Sequence, residues 1–220
     1  MSYLTLKMVF LSLTLGYFQP GFADITTAPV ELTEVKEIQQ EWANLYYLDE
    51  FKNANYKQLQ ALARHANRLS HNNPQSAEAL VWDAIVLSTL AEKKGGIGAL
   101  SLVKEAKLKL EKAEQIDGEV LGGSVYASLA TLYSKVPGWP IGFGSDKKAK
   151  QYFDKALQIN PDGLDNNYFF AEFLADNDQQ QLALAHIEKA LHAPQMTDRP
   201  VADQGRRKQA QALRERLLKN

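Results

Sequence analysis

The chain contains no cysteine in 220 residues. That absence excludes a disulfide framework, a lipid-modified N-terminal cysteine, and thiolate nucleophiles or metal ligands. Charge of one sign is lacking too, since 25 Lys and Arg face 26 Asp and Glu. No basic footprint for nucleic acid results. Beyond residue 23 no apolar run approaches the about 20 residues a spanning helix needs. Catalytic signatures are sparse as well. The four histidines, His65, His71, His186 and His192, include no His-Glu-x2-His spacing, and no Gly-x-Ser-x-Gly elbow occurs. Glu188 and His192 share a helix face at i, i+4, but no third metal ligand accompanies them. The sequence points to no catalytic residue, no cofactor and no metal.

The N-terminus, by contrast, carries a pattern. Lys7 precedes an apolar run, Met8–Phe18, which Gln19-Pro20-Gly21 interrupts. Gly21 and Ala23 then stand at −3 and −1 of a cut before Asp24, the layout of a secretory signal peptide. Residues 1–23 are therefore expected to be a signal, 24–30 a linker, and 31–220 a single domain that is exported and periplasmic. An uncleaved membrane anchor is the other reading of the same run.

From Glu31 onward the apolar residues recur every three to four positions, the spacing of amphipathic helices. No strand-like alternation competes, so the fold is expected to be all-α. Helices are predicted over 31–52, 56–70, 76–92, 99–116, 124–134, 146–159, 164–175, 179–191 and 199–219. Tyr126, Leu129, Ala130 and Tyr133 are followed by Ala149, Phe153, Ala156 and Pro161. Phe170, Ala171 and Leu174, then Ala183, Ile187, Ala190 and Pro194, form a looser copy. Ala156 and Ala190 lie 34 residues apart. Small residues at such spacing let two antiparallel helices approach closely, and the proline blocks continuation of the second. Leu62, Ala66, Leu69 and Pro74 hold the second-helix spacing in an earlier pair, and Ala106, Leu110 and Ala113 in the next. The register of the helix over 76–92 stays open, because Trp82/Ile85/Val86 and Ala84/Leu87/Ser88/Ala91 both fit.

These residues resemble the tetratricopeptide repeat, whose period is 34 residues. The resemblance implies stacked antiparallel helical hairpins, a TPR-like α-solenoid, with extra helices at each end and a groove that binds a protein or peptide partner. More narrowly, an exported helical layout with glycine-rich inserts is similar to the TPR-like component associated with TRAP-type solute transporters. That likeness would imply an accessory role in solute uptake, with a solute-binding protein as partner and a small apolar ligand.

Candidate binding residues come from two places. Residues 137–145 insert Pro-Gly-Trp-Pro-Ile-Gly-Phe-Gly-Ser between two helices that normally need only a tight turn, and 95–98 is expected to be a similar expansion. Trp139 and Phe143 could present an apolar anchor, since Trp is favoured at binding hot spots. Equally, they could fold back and fill a gap between repeats. Ser145 is expected to cap the helix that follows. By analogy with the repeat, Asp165, Tyr168, Phe169, Glu172 and Asp176 would face the groove as an aromatic and acidic strip, suited to a helix with apolar and basic positions. Phe169 has a core position as its other reading. The last helix is expected to cap the stack, with Ala202, Ala210, Leu213 and Leu217 inward. Its basic residues Arg206, Arg207, Lys208, Arg214, Arg216 and Lys219 are expected on a solvated face.

Overall fold

A computed structural model describes residues 32–48 and 56–219. The expected signal, the linker and residues 49–55 lie outside the described residues. Nine α-helices follow in order among those described. They are α1 (Leu32–Ala43), α2 (Tyr56–Asn72), α3 (Ala77–Lys94), α4 (Gly96–Asp117), α5 (Val120–Lys135), α6 (Asp146–Ile159), α7 (Leu164–Asp176), α8 (Gln180–His192) and α9 (Pro200–Lys219). One π-helical turn, Asn44–Leu48, extends α1. The described residues include no strand, and no helix among them is long and apolar enough to cross a membrane.

Local chemistry sets the boundaries. Ser76 and Ser145 start α3 and α6 by accepting backbone N–H bonds from Ala79 and Lys148, which satisfies donors that a helix start leaves orphaned. Between α3 and α4 stands only Gly95, at φ 64°, with Gly96 at φ 59°. Left-handed backbone at two glycines reverses the chain at once. The glycine-rich segment is therefore a tight corner rather than the expected insert, and Gly96–Gly98 belong to α4. Leu121, Gly122 and Gly123 also have positive φ, so regular helix in α5 begins at Ser124, as its spacing predicts.

Helices α1 and α2, α3 and α4, α5 and α6, α7 and α8 form successive hairpins, and the first helices stack as α1–α3–α5–α7. The small-residue stripes lie at the contacts. Ala106, Leu110, Ala113, Ala149, Phe153, Ala156, Ala183, Ile187 and Ala190 are all fully or almost fully buried. The open register of α3 has a structural cause. Trp82 and Val86 are buried, and so are Ala84, Leu87 and Ala91, because α3 is enclosed by α1, α2, α4 and α5. The architecture is a TPR-like stack of helical hairpins.

At the end of the stack α9 departs from a simple cap. It packs on α8, as expected, but also on α7, on α1 and on the π-turn. Arg207 donates to the carbonyls of Leu191 and Ala193 at 2.9 Å and pairs with Asp203, placing a cation at the C-terminus of α8 where the helix dipole favours it. The expected solvated face forms only in part, with Lys208, Arg216 and Lys219 exposed. Arg206 is only 6% exposed, and Arg214 pairs with Glu188. Arg206 turns inward because α9 has protein on two sides.

Candidate functional site

The face formed by the first helices of the hairpins is built from α7 outward. Asp165 opens α7 and receives two guanidiniums, Arg206 Nε at 2.8 Å and an Arg199 Nη at 2.8 Å. The Arg206 guanidinium lies 4.2 Å from the Phe169 ring centre, 4.7 Å from Tyr168 and 6.0 Å from Tyr47, a cation surrounded by ring faces. Of its two other nitrogens, Nη1 donates to Gln209 at 2.7 Å. Burial alone would raise the Asp165 carboxyl, but the Arg206 and Arg199 charges outweigh it and hold it below the usual carboxylate range. Burial pushes the Tyr168 phenol up to about 12, with the Glu172 charge adding to the shift. The Tyr47 phenol is raised by burial in the same way.

Gly205 makes this arrangement possible. A Cβ there would collide with Tyr47 Cδ1, so the Tyr47 ring rests on bare helix backbone. Tyr47 and Tyr46 are carried by the π-turn, and both rings pack on Trp42, with Trp42 and Tyr46 stacked 5.1 Å apart. The N-terminal half of α9 is thus held between α7 and the end of the first helix.

Of the sequence-predicted residues, three come together. Tyr168 is 7% exposed, and its phenol lies 3.5 Å from Glu172 Oε1. Phe169 is half-buried beneath Arg206, and Glu172 is half-buried beside it on α7. Lys135 of α5 reaches Glu172 at 3.4 Å and Asp176 at 2.6 Å. Across the face, the Glu92 carboxyl at the end of α3 is raised by desolvation and then by the Glu172 charge.

Trp139 and Phe143 lie apart from that group and from each other. Phe143 folds back edge-on to Tyr133 at 5.5 Å, within the seam between the second and third hairpins. Trp139 stands 90% exposed beside exposed Ile141. The loop beneath is fixed by backbone bonds from Ser145 N to Tyr133 O and Gly144 N to Pro137 O, and a Cβ on Gly144 would collide with the Val136 carbonyl. Sequence reasoning missed Arg206, Arg199, Gly205, Tyr46 and Tyr47. One signal was available: a glycine inside a helical pattern costs about 1 kcal/mol against alanine and so asks for a packing reason.

Buried polar groups elsewhere act as joints. Asp83 of α3 accepts from Ser70 of α2 and pairs with Lys109 of α4 at 2.8 Å, tying three helices beside an open surface cleft of about 510 Å³. The Ser70 hydroxyl is spent between Asp83 and the Asn67 carbonyl. His186 bonds through Nδ1 to Asn167 Oδ1, while the Asn167 amide donates to Pro161 and Gly163 carbonyls. Glu188 and His192 diverge, the first to Arg214 and the second to the Glu188 backbone carbonyl. No group of His, Cys, Asp and Glu suited to a metal ion occurs among the described residues.

No protein-family model matches the chain, and no curated protein does. Among solved structures it is similar to a thermophilic TPR protein from Thermus thermophilus. The identity is 16% over 84% of this chain and 97% of that one, at a TM-score of 0.40.

Proposed function

We propose that the protein is an exported, non-catalytic scaffold that holds a helical segment of a protein partner on its concave face. One observation carries this reading: the aromatic and acidic strip of α7 already seats a helix, its own α9, through Arg206, while Gly205 lets the same helix approach Tyr47 of the π-turn closely. That is helix-in-groove recognition within one chain. The concave surface beyond α9, with Glu92, Lys135 and Glu172, offers the partner further charged contacts. Trp139 and Ile141 supply a second, apolar contact at the turn edge of the stack, where Ile97 is also exposed at 88%.

The alternative, an accessory of TRAP-type solute uptake that binds a small apolar ligand, expects Trp139 and Phe143 to wall a cavity. Phe143 is taken up by Tyr133 and Trp139 stands in solvent, so the scaffold reading has the stronger support. Its test is native mass spectrometry of residues 24–220 purified from the exported fraction of the source cell. A co-purifying protein lost on Glu172→Lys, with helicity unchanged, is the expected result. Capture indifferent to both Glu172→Lys and Trp139→Ala would sink the proposal.

A further inference from the structure

We infer that this face of the stack is specific for a helix bearing an arginine immediately preceded by a glycine, and that α9 is the resident copy such a helix displaces. This rests on the scaffold reading above. The chemistry is defined by what α9 presents. Gly205 removes the side chain that would otherwise run into Tyr47 Cδ1. Arg206, the next residue, reaches Asp165 and the rings of Tyr168 and Phe169. Arg199, seven positions earlier and so about two helical turns away, takes the other Asp165 oxygen. A carboxylate shared by two guanidiniums is a geometry that arginine fits and lysine does not. An external helix with alanine or leucine before its arginine meets the Tyr47 ring, and one without the arginine leaves Asp165 half paired.

Two features set the N-terminal half of α9 apart from the rest of that helix. Its two halves are held differently: Leu213, Leu217 and Arg214 lie on the α7–α8 hairpin, whereas Ala202, Gly205 and Arg206 contact α1, the π-turn and α7. The π-turn side is also incompletely filled, with a cleft of about 190 Å³ between Tyr46, Tyr47 and Leu48 on one wall and Val201, Gln204, Lys208 and Gln209 on the other. The N-terminal half can therefore leave by giving up the Asp165 pairs and the Arg207 bonds to the Leu191 and Ala193 carbonyls, while Leu213, Leu217 and Arg214 keep their contacts with the α7–α8 hairpin. Being tethered, it competes at an effective concentration on the order of millimolar, so an external helix gains access only when this half is loosened.

The test uses a fluorescein-labelled peptide of residues 196–212 and the full chain. Fluorescence anisotropy measures its binding to the unaltered protein, to Gly205→Leu, and to Gly205→Leu combined with Asp165→Lys. Hydrogen exchange over 200–209 reports independently whether α9 is released. The expected result is release in Gly205→Leu, peptide binding at least tenfold tighter than to the unaltered protein, and loss of that gain with Asp165→Lys. Should Gly205→Leu fail to fold, Arg206→Glu repels Asp165 without a steric wedge and takes its place. Continued protection of 200–209 overturns the inference, as does a released α9 with no gain in binding. If that failure is accompanied by Glu172-dependent capture of a partner, the scaffold reading survives alone. Loss of both ends it.

Discussion

Arg206 shows how a single residue can reverse its sequence-level meaning. In the primary structure it sits among Arg207, Lys208 and Asp203, a pattern that reads as a solvated face. In the fold its partner Asp165 lies 41 positions earlier, and Tyr47 lies further still. Local spacing carries no information on such contacts. The Asp165 pairing also fixes a pH dependence. Its carboxyl is held below the usual range when folded, so the stabilisation is fully present above the unfolded value of about 3.9 and fades as pH falls through the lower folded value. Exchange protection over 200–209 is therefore expected to persist at neutral pH and to decline progressively as pH falls below about 4, and Asp165→Asn should remove that pH dependence. Trp139 and Phe143 separate cleanly at this scale. Trp139→Ala should shift unfolding in urea by no more than about 0.5 kcal/mol. Phe143→Ala should cost clearly more, because its ring packs on Tyr133.

For the helices, the outcome followed what each buries. The stripe Ala149, Phe153, Ala156 was legible because α6 has one buried face, so every apolar position on it reports the same contact. Phe153 lies among Phe170 and Phe173 at ring distances of 5.3 and 5.5 Å. Phe153→Ala should destabilise by about 3–5 kcal/mol in chemical denaturation. The helix α3 gave no unique register because it is surrounded, and a helix buried on nearly all sides shows no single stripe. The corner at Gly95 was misjudged for a related reason: glycine announces conformational freedom, but freedom serves a sharp reversal as readily as a long loop. A joint between helices is open to test at Asn167, whose amide holds two carbonyls of the α6–α7 turn. Asn167→Ala leaves these acceptors and His186 unpaired, and a loss of about 1–3 kcal/mol is expected in thermal or urea unfolding.

Across the whole molecule, the hairpin stack was readable from sequence and its occupied groove was not. Stacking depends on neighbours in the chain, and a repeat encodes those at fixed intervals. The contact of α9 with α1 and the π-turn joins the two ends of the described chain, and no repeat position specifies it. Tyr168, Phe169 and Glu172 do lie near one another on α7, whereas the helix lying against part of that strip was beyond local pattern. The most direct test of the account is hydrogen exchange of the protein with and without its captured partner. Added protection on α5 and α7 around Lys135 and Glu172, with faster exchange over 200–209, is the result predicted. Protection confined to the outer helices α4, α6 and α8, with α9 unchanged, would contradict it.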